Sequence, residues 1–201
     1  MERIDPLAEG SSARQPIGFG RREVLAGTGV ALAGCSSLGG DGASYEKSDV
    51  EMEFSMECAD ADSEKYVARV SWEWNDDDGG SSPGDRVVIS WDERKWFVVD
   101  PEFETSESVT FEGRGSPGRL DAVEFEHDDE SADSGAMHVA ACSLSPYGDY
   151  DQDGRKVFVN YYHRTEGDDE ISTPEDGPPK YSSAWETADE ADQTEVSCDG
   201  G

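Results

Sequence analysis

Residues suited to chemistry are few in this chain and lie far apart. Asp149, Asp151 and Asp153 stand at alternate positions ahead of Gly154, a spacing that can turn several carboxylate oxygens toward one hard cation. The plainer reading is an acidic hairpin turn in which Gly154 takes the left-handed conformation. His127, His138 and His163 fall at predicted strand ends, where solvated or structural imidazoles are expected. The four cysteines, at 35, 58, 142 and 198, include no Cys-x-x-Cys spacing, which argues against a thiolate metal site. There is no His-Glu-x-x-His and no phosphate-cradling Gly-x-x-x-x-Gly-Lys loop. With 47 acidic residues, no carboxylate pair stands out as an acid and a base. The expectation is a protein without catalytic residues. Its one candidate cofactor is calcium, held weakly at the aspartate turn.

The elements that must position these residues read as strands. Val50 to Glu57 alternates apolar and polar, with Val50, Met52, Phe54 and Met56 on one face. Tyr66 to Trp74 repeats the pattern with Ala68, Val70, Trp72 and Trp74. Further strands are predicted at 86–91, 95–99, 108–112, 120–126, 136–144 and 156–164, separated by Gly-, Asp- and Pro-rich turns. Eight short strands and no helical periodicity after the first 34 residues predict an all-β fold, an antiparallel β-sandwich or barrel, with the sandwich preferred. The tryptophans at 72, 74, 91 and 96 are expected in its core, with a carbohydrate-stacking surface as the alternative. From Thr165 the chain carries one lysine against twelve acids. Residues 166–201 are therefore expected to form a largely disordered acidic tail, with Tyr181, Trp185 and a short strand at 194–197 able to dock back.

The first 44 residues have a different character. Arg21-Arg22 precede a ten-residue apolar run, Val24 to Ala33, too short to span a bilayer, which takes about 20 residues. The pair with Val24 and Leu25 resembles the twin-arginine (Tat) export motif, although Gly20 stands where that family has Ser or Thr. Leu32-Ala33-Gly34-Cys35 is similar to the lipobox of lipoprotein signal peptides at all four positions. The resemblance implies a signal helix over 1–34, cleavage before Cys35, and a lipid on its sulfur. Small side chains at Ala33 and Gly34 let the backbone fit the peptidase, and a thiol is the nucleophile that is alkylated. Residues 35–46 then serve as a Gly/Ser-rich tether to a β-sandwich at 47–165. The implied partners are the Tat machinery and, through the lipid, the outer face of the cytoplasmic membrane.

Net charge is −31, and none of it comes from residues 1–34, whose four arginines cancel Glu2, Asp5, Glu9 and Glu23. Such charge opposes compaction in dilute buffer and is screened at high salt. Five lysines against eleven arginines, with abundant aspartate, resemble the proteins of salt-loving archaea. No basic stripe exists to neutralise phosphates, which argues against nucleic acid as a partner.

Cys58, followed fourteen residues later by Trp72 and then by Cys142, resembles the Cys…Trp…Cys pattern of immunoglobulin-like sandwiches. With Cys35 lipidated, one pair and one leftover thiol are expected among Cys58, Cys142 and Cys198. An inter-sheet Cys58–Cys142 bridge is the first expectation and Cys142–Cys198 the competitor. The segment 149–154 is similar to the opening of an EF-hand calcium loop over six residues. Asn160 stands where that loop has its bidentate glutamate. The combined expectation is a membrane-anchored cell-surface lipoprotein whose β-sandwich binds or supports without catalysis. The alternatives are a substrate-binding subunit of a membrane complex and, third, a hydrolase.

Overall fold

The computed structural model describes residues 46–59, 65–75, 80, 82–99, 103–115, 120–148, 154–165, 170–172, 180–192 and 196. The chain divides into two units, 1–39 and 40–201, and every described residue belongs to the second. Its strands in chain order are β1 (Val50–Cys58), β2 (Tyr66–Trp74), β3 (Asp85–Asp92), β4 (Trp96–Val98), β5 (Glu104–Thr105) and β6 (Val109–Gly115). They continue with β7 (Leu120–His127), β8 (Met137–Pro146), β9 (Lys156–His163), β10 (Ile171–Ser172), β11 (Lys180–Tyr181) and β12 (Trp185–Asp192).

Among the described residues two five-stranded sheets face each other as a sandwich. One runs β1-β2-β8-β4, with β5 also on β8, and the other runs β12-β9-β3-β7-β6. Every strand pair is antiparallel. The all-β expectation holds, and all eight predicted strands are present. Alternation decides which side chains enter the core. Ala68, Val70, Trp72 and Trp74 of β2 are buried, as are Val87, Ile89 and Trp91 of β3 and Val157, Val159 and Tyr161 of β9. Trp72, Trp74, Trp91 and Trp96 are each at most 2% exposed, so these tryptophans build the core and offer no stacking surface.

Two expectations change. Cys58 is disulfide-bonded, but Cys142 is a free, buried thiol, so neither the Cys58–Cys142 nor the Cys142–Cys198 bridge exists. The sheet explains why. β1 and β8 lie in the same sheet with β2 between them, and Ala68 is paired with both Met56 and Cys142. Two strand spacings of about 4.8 Å put those backbones roughly 9–10 Å apart, beyond the Cα separation of about 7 Å that a disulfide spans. The immunoglobulin-type pin between sheets is therefore absent, and Trp72 packs against other partners.

The second change concerns the tail. β12 is a full edge strand paired along eight residues of β9, from Trp185↔His163 to Asp192↔Lys156, so residues 185–192 are not disordered. Backbone hydrogen bonds to β9, together with Trp185 stacked on Tyr161 and His163, outweigh a composition that argued for disorder. Tyr181 is buried against Tyr162 and donates to Glu124 Oε1 at 2.5 Å, which is the docking expected of it.

Candidate functional site

Four inward-facing rows of side chains turn from apolar to polar at the same end of the sandwich. Asp85 opens the row continued by Val87, Ile89 and Trp91. His127 closes the row of Val123 and Phe125, His138 opens that of Ala140, Cys142 and Leu144, and His163 follows Val159 and Tyr161. Antiparallel pairing makes the ends coincide: Asp85 lies opposite His127, and Trp72 opposite His138. The three histidines that sequence leaves scattered are thus gathered into one buried layer.

Asp85 anchors this layer. Tyr161 donates to its Oδ2 at 2.5 Å, the Arg164 backbone N–H donates to Oδ1 at 2.9 Å, and His163 Nδ1 lies 2.9 Å from Oδ1. Tyr161 Oη is also 3.0 Å from His127 Nδ1. The His127 ring sits 4.4 Å from that of His138, whose Nδ1 is 2.8 Å from Ser108 Oγ. A continuous polar chain therefore runs from Asp85, fully buried, to Ser108 near the surface. Asp129, also buried, closes the layer over Gly80, where a Cβ would lie only 2.3 Å from the Asp129 carbonyl carbon.

Burial sets the protonation of this chain. His127 is held down to about 3, first by desolvation and then by the neighbouring His138. His138 is lowered by desolvation as well. Tyr161 is raised well above the usual phenol range by burial and then by the Asp85 charge, so it stays a hydrogen-bond donor. Because its one proton goes to Asp85, Tyr161 Oη can only accept from His127, which fixes the proton on His127 Nδ1. Asp85, Asp129 and His163 also bring one ligand atom each within 4.8 Å of one another, a spacing compatible with a metal ion. The Asp85 carboxylate already accepts from Tyr161 and Arg164 and faces His163, which makes Asp85 a hydrogen-bonded anchor.

A groove of about 420 Å³ opens beside the layer, lined by Ser106, Glu107, Ser108, Asp133, Met137 and His138, among others. A second, of about 370 Å³, lies against Arg69, Phe103, Glu104 and Cys142. There the Arg69 guanidinium donates both of its terminal N–H groups to the Glu104 carboxylate at 2.7 Å.

No family model matches the chain, and no curated protein matches it. Among solved structures it is similar to the full-length major pilin SpaD from Corynebacterium diphtheriae, at 11% identity with a TM-score of 0.38. The likeness covers 69% of this chain and 35% of the pilin.

Of the residues singled out in the sequence, Cys35, Arg21, Arg22, Leu32, Ala33, Gly34 and Cys198 lie outside the described residues, as do Asp149, Asp151 and Asp153. Gly154 is described and has φ 75°, the left-handed conformation expected of the acidic turn. Cys142 is inert: burial pushes its thiol up to about 12. Asp85, Asp129, Tyr161 and Ser108 were missed. A signal for Asp85 did exist, since a charged residue at the first inward position of an otherwise apolar row requires buried partners.

Proposed function

We propose that the protein is an exported, lipid-anchored cell-surface module whose β-sandwich binds or supports partners without catalysis. The observation that carries this reading is the disulfide at Cys58. Disulfides form and persist in oxidising compartments, as expected of a domain exported by the signal that Arg21-Arg22 and Leu32–Cys35 resemble. With Cys35 assigned to the lipid and Cys142 free, this reading expects Cys198 as the partner of Cys58. Val196, two residues before it, packs against the main core. One lipid chain gives only marginal anchoring, and an acidic flank adds no electrostatic help, so a second acyl chain or a protein contact completes the attachment.

A non-catalytic role suits the polar layer, whose Tyr161 and Asp85 point at each other inside the core. A ligand-binding role as subunit of a membrane complex is the second reading, supported by the groove beside His138. Export is the step to test. Changing Arg21 and Arg22 to lysine is expected to leave uncleaved precursor inside the cell; normal export of that variant would refute the Tat assignment.

A further inference from the structure

Beneath the groove, two imidazoles each keep one nitrogen buried with no hydrogen-bond partner. These are Nε2 of His127 and Nε2 of His138. His127 is fully buried and His138 is 3% exposed. Their Nδ1 atoms are occupied, one by Tyr161 Oη and the other by Ser108 Oγ. Other buried side-chain atoms, Trp72 Nε1 and Trp96 Nε1 among them, share this state, but only an imidazole nitrogen can offer a lone pair to a metal, and these two rings adjoin.

We propose that His127 and His138 bind one transition-metal cation of the zinc or copper class through their Nε2 atoms. The tautomer suits this, because a proton fixed on His127 Nδ1 leaves a lone pair on Nε2. His138 reaches the same state when its Nδ1–H donates to Ser108 Oγ. Holding the far ring nitrogen with a hydrogen bond is how ligating histidines are oriented, and here two hydroxyls do it.

Spacing agrees. With metal–nitrogen bonds of about 2.0–2.1 Å, two imidazoles on one ion at angles of roughly 90–109° have centroids about 4.5–5.2 Å apart. The observed separation is 4.4 Å with the planes at 50°, so a small ring movement accommodates the ion. Imidazole donors select zinc or copper over calcium and magnesium, which prefer oxygen. His138 lines the groove, so the pair lies directly beneath it. This goes beyond the proposed export and anchoring, and either can fail without the other.

The test uses the full-length chain, stripped with EDTA and kept in millimolar magnesium to occupy surface carboxylates. Zinc chloride is titrated calorimetrically, and copper(II) sulfate is followed by tryptophan fluorescence. The Trp72 ring lies 5.3 Å from His127 and 5.8 Å from His138, close enough for bound copper to quench it. One equivalent is expected to bind, with affinity lowered at least tenfold in both His127→Phe and His138→Asn. Ser108→Ala should lower it about tenfold by freeing the His138 ring. Absence of one-equivalent binding in the wild type overturns the proposal. So does undiminished binding in folded His138→Asn, which lies beside the groove and decides the matter if His127→Phe fails to fold.

Discussion

The assignment of Cys142 as a buried free thiol can be tested with quantitative force. The thiol is 2% exposed, and burial moves it from 9.0 to about 12. At pH 8 the thiolate fraction falls from about one in ten for an ordinary cysteine of that reference to about one in ten thousand, a factor of roughly 1,000. Steric exclusion slows reagents further. Labelling of the folded protein with a chromogenic disulfide reagent, without reductant, should therefore be undetectable at Cys142 in native buffer on the timescale of minutes. In urea it should reach one thiol per chain. Linkage supplies a second readout. Cys142 is an acid whose folded value is raised, so its contribution is fully present below pH 9 and lost as pH rises from 9 toward 12. At pH 10 the loss is about 1.4 kcal/mol. Cys142→Ala removes that component while Tyr161, Tyr162 and Tyr181, also raised by burial, titrate equally in both proteins. Rapid native labelling, or no reactive thiol in urea, would refute the reasoning.

Three further outcomes follow from packing and charge. Trp185→Ala removes the rings stacked on Tyr161 and His163 and should cost about 2 kcal/mol in urea unfolding; a neutral effect would mean that β12 does not dock as described. Trp96→Ala empties a fully buried site packed edge-on against Tyr66 and should cost about 3–5 kcal/mol, with stability near that of wild type contradicting its place in the core. Lowering salt from about 1 M to about 0.1 M lengthens screening from about 3 Å to about 10 Å and should lower the melting temperature, because the −31 charge repels itself. A melting temperature indifferent to salt would remove the salt-adaptation reading.

Strand positions were readable because alternation in segments such as 50–57 and 66–74 admits only one buried face. Within the tail, residues 185–192 form an ordered strand where disorder is expected, because composition measures average hydrophobicity, whereas β12 is held by backbone bonds to β9 and by Trp185, one of the two aromatics expected to dock. Composition does not register either. Cysteine pairing was misread for a related reason. Spacing along the chain does not reveal that Cys58 and Cys142 fall in one sheet with β2 between them. The histidine layer was hidden because its members lie on four strands, and only the register brings Asp85, His127, His138 and His163 to one end. Each row did carry a local sign, a polar residue ending an apolar inward series. Reading those signs together requires the sheet order.

The most direct test of the central claim is a non-reducing peptide mass map of the mature protein isolated from membranes. The account predicts an N-terminal peptide beginning at Cys35 with the added mass of a lipid, together with a Cys58–Cys198 cross-linked pair. A Cys35–Cys58 cross-link, or an unmodified Cys35 in a chain recovered from the soluble fraction, would contradict it.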